Sequence, residues 1–421
     1  MGPDMNPREN VPAMKRKIYV KDTLEAYVDE SAAAERSLLL RYHPVLSEQG
    51  QNIDISKEDI DASSLSEGAR IFPLAQFRGV EIWVCDESSL MATGTYKDLD
   101  ACLMAAIAKH TGLTSIVLSS GGNLGYAMAR YARNAGLRVY FFHPKSTLYK
   151  LDAANFDWEG VKVITVDRPE QEVKALARDF ADAYGIAHVP ALHWRFAASA
   201  VRAMHIAEKL FVPDTQVDWL AQAICAGFGP VGVYGCWSGL IYKGVLEHEC
   251  VPRFLGIQQA ANAPIVQAWQ AGEREMTKQP MDTDNQGAYI EPGLYNTNPS
   301  VNYSNLTGLM DRFGGDLLAV DGGDYQTYEK TVISWFRNAG LEFTRMPQTG
   351  EILERAGILT GVGIIKAIEQ EVVKQGSRVL YLLTGGFRRL SSFERLKPDL
   401  EVNETRPIAD WVVDLGKALG L

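Results

Sequence analysis

The sequence predicts an α/β fold of doubly wound, mainly parallel sheets, and three observations predict it. Strand-like apolar runs alternate with helical patterns along most of the 421 residues. Apolar residues make up 46% and charged residues 22%, the balance of a globular chain long enough for one large or two medium cores. Small and polar residues gather at the carboxyl ends of strand-like runs in three places, 119–123, 227–232 and 384–386. Open α/β sheets bind their ligands at such ends, so the three places point to one cleft.

The elements follow in order. Residues 1–14, MGPDMNPRENVPAM, are polar and Pro-rich without an apolar h-region, which reads as an extended or disordered arm rather than a signal peptide. A helix is expected around residues 22–40, then a buried strand over 80–85 and, after a Gly-bearing turn, the Ala-, Leu- and Met-rich helix that Lys97 introduces. TSIVLSS (114–120) reads as a strand, LGYAMARYARNAG as a helix capped by Gly136, LRVYFFHP and GVKVITV as further strands, and EQEVKALARDFADAYG as an amphipathic helix. The alternation resumes with WLAQAICAGFGPVG, a strand entering a glycine loop, then a helix over 233–249 and the strand PRFLGIQ. Residues 272–305 interrupt it with Pro, Asn and Gly and read as a long surface excursion. SRVLYLLTGGF closes the series as a buried strand ending in Thr384-Gly385-Gly386.

Composition also excludes functions. A net charge of −10, with no basic stripe beyond Lys15-Arg16-Lys17, argues against nucleic acid and anionic membranes and favours a small-molecule substrate. No apolar run is long enough to span a bilayer. Five cysteines without a CxxC pair indicate neither a zinc site nor a disulfide framework, so no metal is expected and the expected compartment is a reducing cytoplasm. In that setting the sequons at Asn302, Asn305 and Asn403 read as chance. The histidines, His193 and His205 included, show no metal spacing and are as readily structural.

An isolated lysine at a loop-to-helix junction lays its stem on apolar surface and its ammonium in water. Lys97 instead sits within Thr93-Gly94-Thr95-Tyr96-Lys97-Asp98, in a chain with two Gly-rich strand-end loops of the kind that hold a phosphate and an aromatic cofactor. A desolvated lysine forms a Schiff base with an aldehyde, the chemistry that pyridoxal phosphate uses. The run Gly227-Phe228-Gly229-Pro230-Val231-Gly232 also has the literal pattern G-x-G-x-x-G, which a nicotinamide-dependent dehydrogenase would use. That reading requires Asp or Glu at the end of the next strand, which ends instead at Gln258.

TGTYKD resembles the T-G-S-F-K-D run of threonine synthases, SSGGNLGYAMARYARNAG their S-[ST]-G-N-T stretch, PRFLGIQQAANAPIVQAW their P-R-x-x-G-x-Q-A run, and SRVLYLLTGGF their strand ending T-G-H-G. The order and spacing agree from about Arg41 to Arg389. The resemblance implies fold type II of the pyridoxal 5′-phosphate enzymes, with the cofactor in a cleft between two doubly wound domains. It implies an arm and helix over 1–40, a larger cofactor-binding domain over 41–90 plus 206–421, and a smaller mobile domain over 91–205. A homodimer acting on a small amino-acid substrate is expected.

Carried over by residue, Lys97 becomes the Schiff-base lysine and the base, and Asn123 the partner of the cofactor's phenolic oxygen. Gly227, Gly229, Val231 and Gly232 lie in the loop that binds its phosphate through backbone N–H groups, and Thr384 supplies a neutral hydroxyl to the pyridine nitrogen. Ser119, Ser120, Gly121 and Gly122 would hold the substrate carboxylate. Glu354-Arg355-Ala356-Gly357 matches only part of the E-P-[AS] stretch that lines the cofactor ring, and Glu354 alone reads as a solvated helix residue.

The substrate-phosphate grip is reduced. Leu124 stands where the family has threonine, VPALHWR keeps only Arg195 of N-S-x-x-P-x-R, and Gly232 replaces an asparagine. Each lost charge-assisted donor forfeits roughly 1.5–3 kcal/mol. Lys97-Asp98-Leu99-Asp100 is closer to the K-E-L-E run of the cysteate synthase branch. The implied activity is β- or γ-elimination or replacement on an amino acid. A deaminase or lyase, and a weakly active cofactor-binding paralogue, are the alternatives.

Overall fold

The computed structural model describes residues 24–31, 36–48, 55–189, 192–212, 214–276, 288–296, 299–388, 394–402 and 408–421. Residues 1–14, the Lys15-Arg16-Lys17 run and Asn403 lie outside them, and so does the side chain of His193.

Among the described residues, eleven strands form two sheets. β1 (Arg70–Phe77), β2 (Val80–Asp86), β7 (Trp219–Ala223), β8 (Arg253–Gln259), β9 (Gly315–Val320) and β10 (Arg378–Leu383) make a six-stranded sheet in the order β1-β2-β10-β7-β8-β9. β3 (Ser115–Ser119), β4 (Arg138–Pro144), β5 (Val161–Val166), β6 (Ala187–Val189) and β11 (Leu400–Val402) make a five-stranded one in the order β11-β5-β4-β3-β6. Every pairing is parallel except the β1–β2 hairpin, whose turn residues Arg78 and Gly79 both have positive φ, the twist that suits a tight hairpin. β1 lies at the edge, where Pro73 costs no ladder bond to a second neighbour.

The helices are α1 (Leu38–Arg41), α2 (His43–Glu48), α3 (Lys57–Ser63), α4 (Lys97–His110), α5 (Asn123–Asn134), α6 (Glu170–Tyr184), α7 (Leu192–Leu210), α8 (Phe228–Tyr242), α9 (Pro264–Gln270), α10 (Ser300–Phe313), α11 (Gly322–Asn338), α12 (Ala356–Glu369) and α13 (Ile408–Leu419). They cover both faces of the sheets, which is why the central strands read as near-continuous apolar runs. Alternate residues part to opposite cores: Val379, Tyr381 and Leu383 face one, Leu380 and Leu382 the other. The second of these is shared, since Ile116 and Leu118 of β3 enter it as well, while Val117, Tyr140 and Phe142 face a third core beyond the five-stranded sheet. The doubly wound α/β class predicted from the sequence is the observed one.

Four expectations change. Of the helix expected around 22–40, the described residues show a 3-10 turn at Glu25–Tyr27 and the short α1, with Ser37 extended and bridged to Glu67; residues 22–23 and 32–35 lie outside the described residues. The helix expected over 233–249 starts at Phe228, where Gly227 takes up a left-handed conformation, and stops at Tyr242, two residues before Gly244 at φ 71°. The excursion over 272–305 already contains the first turns of α10. β11 adds to β5 of the five-stranded sheet, although 206–421 was expected to belong wholly to the other unit.

Asp98, in the first turn of α4, is fully buried and accepts the Thr93 amide at 2.8 Å. Burial pushes its carboxyl up to about 8. The folded chain then holds a proton that the unfolded chain releases near its ordinary value of about 4. This contribution to stability is complete below about pH 4 and is lost as pH rises towards 8. The melting temperature of the parent protein should therefore fall relative to Asp98→Asn across that window, as calorimetry at each pH would show.

Candidate functional site

The ends of β2, β10 and β7 are neighbours in the six-stranded sheet, so the segments leaving them converge. Lys97 starts α4 on the segment from β2. Its position is set by the Thr384 carbonyl at the end of β10, which accepts the Thr95 hydroxyl at 3.0 Å and the Tyr96 amide at 3.2 Å. Gly94 permits this approach with φ 78°, since a Cβ there would strike the Phe387 backbone.

The Lys97 side chain is 13% exposed. Its ammonium donates to the Tyr96 hydroxyl and, at 3.1 Å, to Asp100 Oδ2 one helical turn on. Asp100, almost completely buried, accepts at the same oxygen from Arg195 Nε at 3.4 Å. The Arg195 guanidinium lies 4.2 Å from the centre of the Phe228 ring, so it packs inside the site instead of on the surface beside Trp194.

β7 runs into the glycine loop. The amides of Phe228 and Gly229 belong to the first turn of α8, whereas the Val231 amide is taken up within the helix by Gly227 O at 3.1 Å. Asn302, buried and so no acceptor for a sugar, holds the loop by donating to Ala226 O at 2.8 Å. A Cβ at Gly229 would stand 2.9 Å from Arg202 Nη1, and one at Gly232 would meet Ser199. Arg202 is buried, grips Glu87 through two bonds of 2.6 and 2.7 Å, and keeps Nη1 without a partner among the described residues. The free amides at the start of α8, with the helix dipole behind them, are suited to a phosphate, and the unpartnered Arg202 Nη1 faces the loop.

The third strand end belongs to β3 of the other sheet. Ser119 Oγ meets His188 Nε2 at 3.2 Å, and Ser120 Oγ accepts the Gly122 amide at 3.2 Å. Gly121 packs against Pro144 and Thr147, where a Cβ would come within 3.1 Å of each. His143 braces the loop from behind, with Nδ1 2.8 Å from Ser120 O, and burial lowers its imidazole to about 4. His205 is likewise internal, against the Tyr42 hydroxyl at 3.3 Å.

Asn123, at the start of α5, spans the cleft. Its Nδ2 donates to Glu354 Oε1 at 2.8 Å and its Oδ1 accepts from Arg388 Nη2 at 3.1 Å. Glu354 is therefore not a solvated helix residue: it precedes α12, is 5% exposed, and lies where a Cβ on Gly385 would fall on its carboxylate. Burial, with the charge of nearby Glu291 behind it, pushes the Glu354 carboxyl up. Burial acts on Glu291 in the same sense, but the Lys150 ammonium and the amides of Arg355 and Gly293 outweigh it and hold that carboxyl down. Glu354 Oε2 and Arg388 Nε have no partner among the described residues.

Lys97, Thr384, the glycine loop, Asn123 and Arg195 are thus brought to one place. Sequence reasoning missed Glu87, Arg202, Arg388 and the Lys150–Glu291 pair, whose partners are remote in sequence. Asp100 was noted only as a family likeness, although its i+3 spacing from Lys97 on one helix face was a signal.

Residues 68–336 match the family model described as pyridoxal-phosphate dependent enzyme, and the chain belongs to that family. Its cofactor is pyridoxal 5′-phosphate, and the glycine loop is not a dinucleotide fingerprint. Among relatives, it is 30% identical to threonine synthase of Synechocystis sp. over 42% of this chain and 46% of that protein, so the match spans under half of the relative's length. It is 25% identical to cysteate synthase of Methanosarcina barkeri over 77% of this chain and 74% of that one. In structure it resembles threonine synthase from Escherichia coli, with a TM-score of 0.66 at 12% identity over 93% and 92% of the two chains. Diaminopropionate ammonia lyase from Escherichia coli shares the fold with a TM-score of 0.58 at 14% identity over 88% and 93%. The fold is type II of the pyridoxal-phosphate enzymes. Among the described residues no helix is long and apolar enough to cross a membrane.

Gly385→Ala should displace the Glu354 carboxylate and cost about 1–3 kcal/mol, the usual penalty of overpacking. Urea unfolding of the cofactor-free protein measures it.

Proposed function

We propose that the protein catalyses β- or γ-elimination or replacement on an amino-acid substrate, with Lys97 as covalent anchor of the cofactor and as the base. The observation that carries this reading is the Lys97 ammonium at the junction of the β2, β10 and β7 ends, with two groups to hold its proton, Tyr96 and Asp100. When bound, pyridoxal phosphate supplies an electron sink for negative charge at the substrate's α-carbon.

The chain's own residues divide the remaining work. With the cofactor bound, the Gly227, Phe228 and Gly229 amides would hold its phosphate. Thr384 offers the pyridine nitrogen a neutral hydroxyl. Asn123, its amide orientation set by Glu354 and Arg388, donates to the phenolic oxygen. Ser119, Ser120, Gly121 and Gly122 take the substrate carboxylate, and Arg195 borders the substrate's side chain. Lys97 Nζ removes the α-proton, and Asp100 stabilises the ammonium that results. The reading includes a smaller unit around β3–β6 that moves against the six-stranded sheet, and a homodimer. A deaminase or lyase acting on an uncharged side chain is the second reading, favoured by the grip of Asp100 on Arg195.

Borohydride treatment of the yellow holoenzyme should fix the cofactor on the peptide containing Lys97, identified by mass spectrometry. Attachment to another peptide would overturn the assignment. Thr384→Ala should keep the cofactor, which the phosphate loop and Lys97 retain, yet lose turnover on the order of 10²-fold, as removal of one polar contact to the reacting system does. Steady-state assays with the best substrate of an amino-acid panel decide this.

A further inference from the structure

Tyr96 gives the site a hydroxyl that the resembled motif lacks: TGTYKD has tyrosine where the T-G-S-F-K-D run has phenylalanine. That hydroxyl accepts from Lys97 Nζ, which lies 3.7 Å from the centre of the ring. The residue is held from two sides. Its amide is tied to Thr384 O at 3.2 Å, and the Arg202 guanidinium, itself fixed by Glu87, lies 4.2 Å from the ring centre in an attractive cation–π contact. Of the two partners of Lys97 Nζ, the Asp100 carboxylate only accepts, whereas a phenolic hydroxyl accepts and donates at once. No described residue accepts the hydroxyl's own hydrogen, so it is available to a group that approaches Nζ.

Resting on the reading of Lys97 given above, we propose that Tyr96 is a further catalytic residue, which relays protons as Lys97 takes up and releases the cofactor. In the uptake step Lys97 Nζ forms a C=N bond to the aldehyde carbon and the C=O bond breaks. The Lys97 ammonium brings three protons, of which one stays on Nζ and two leave with the oxygen as water. Tyr96 carries them across: its oxygen takes a proton from Nζ while its own hydrogen passes to the departing oxygen, so the hydroxyl is restored. When a substrate amine displaces Lys97, the same hydroxyl takes protons from the incoming ammonium and returns them to Nζ.

The test uses the full-length chain freed of cofactor, in its parent form and as Tyr96→Phe, which removes one oxygen and keeps the ring on which Arg202 packs. Saturating pyridoxal 5′-phosphate is added, samples are quenched with borohydride at intervals, and labelled Lys97 is counted by mass spectrometry. Tyr96→Phe should reach the same final labelling about 10²-fold more slowly, the share that one general acid–base group supplies. Its affinity for pyridoxine 5′-phosphate, which has no aldehyde, should match that of the parent by fluorescence titration. A slowdown of less than about tenfold would overturn the proposal. So would a loss of pyridoxine 5′-phosphate affinity as large as the slowdown, which would make Tyr96 a binding residue only. Without any variant, labelling of the parent should be slower in D2O than in H2O, because protons move as the C–O bond breaks, and equal rates would overturn the proposal as well. Borohydride that fixes the cofactor on a residue other than Lys97 in the parent would instead refute the underlying functional reading, so the two failures are distinguishable.

Discussion

One carbonyl organises the site. Thr384 O accepts from both the Thr95 hydroxyl and the Tyr96 amide, and so fixes the start of α4 against the end of β10. A backbone acceptor has no rotamers, which makes it a rigid anchor for a helix whose N-terminus has no side-chain cap of its own. The direction in which Lys97 leaves the helix, and hence its meeting with Asp100, depends on that pair of bonds. The same strand end carries Gly385, whose missing side chain lets Glu354 approach Asn123.

Charge is arranged around this anchor in closed pairs. Arg202 with Glu87 and Lys150 with Glu291 are buried and match one cation to one carboxylate. Such pairs add little net stability over apolar packing, but breaking either would strand a buried charge. Their value lies in orientation: Arg202 stands behind the glycine loop, and Lys150 joins the five-stranded sheet to the segment before α12. Asp100 departs from the pattern, being shared by two cations.

The strands and the three ends rich in small and polar residues were legible because buried parallel strands and Gly-rich termini leave local signals. TSIVLSS and LRVYFFHP are strands within a residue of the expected bounds, and SRVLYLLTGGF is a strand up to Leu383, ahead of Thr384-Gly385-Gly386. Elements set by tertiary contact were not legible. Ser37, just before α1, is drawn into a bridge by Glu67, and β1 is an edge strand with a proline and a register shift that blur its period. In the site, Lys97 and the glycine loop were visible as motifs, whereas Glu354 looked solvated because nothing local reveals that Asn123 and Gly385 close over it. Arg388 gives no signal at all, since its partners Asn123 and Lys150 lie 265 and 238 residues away.

Those separations have a consequence during synthesis. Asn123 meets Glu354 across 231 residues, and Thr95 meets Thr384 across 289. A ribosome that has already delivered Lys97, Asn123 and the whole of β3–β6 has delivered a lysine with no strand end to rest on and an amide with no partners. The candidate site can close only once β10 and the residues after it emerge, so a chain halted before them carries Lys97 without the strand end that positions it.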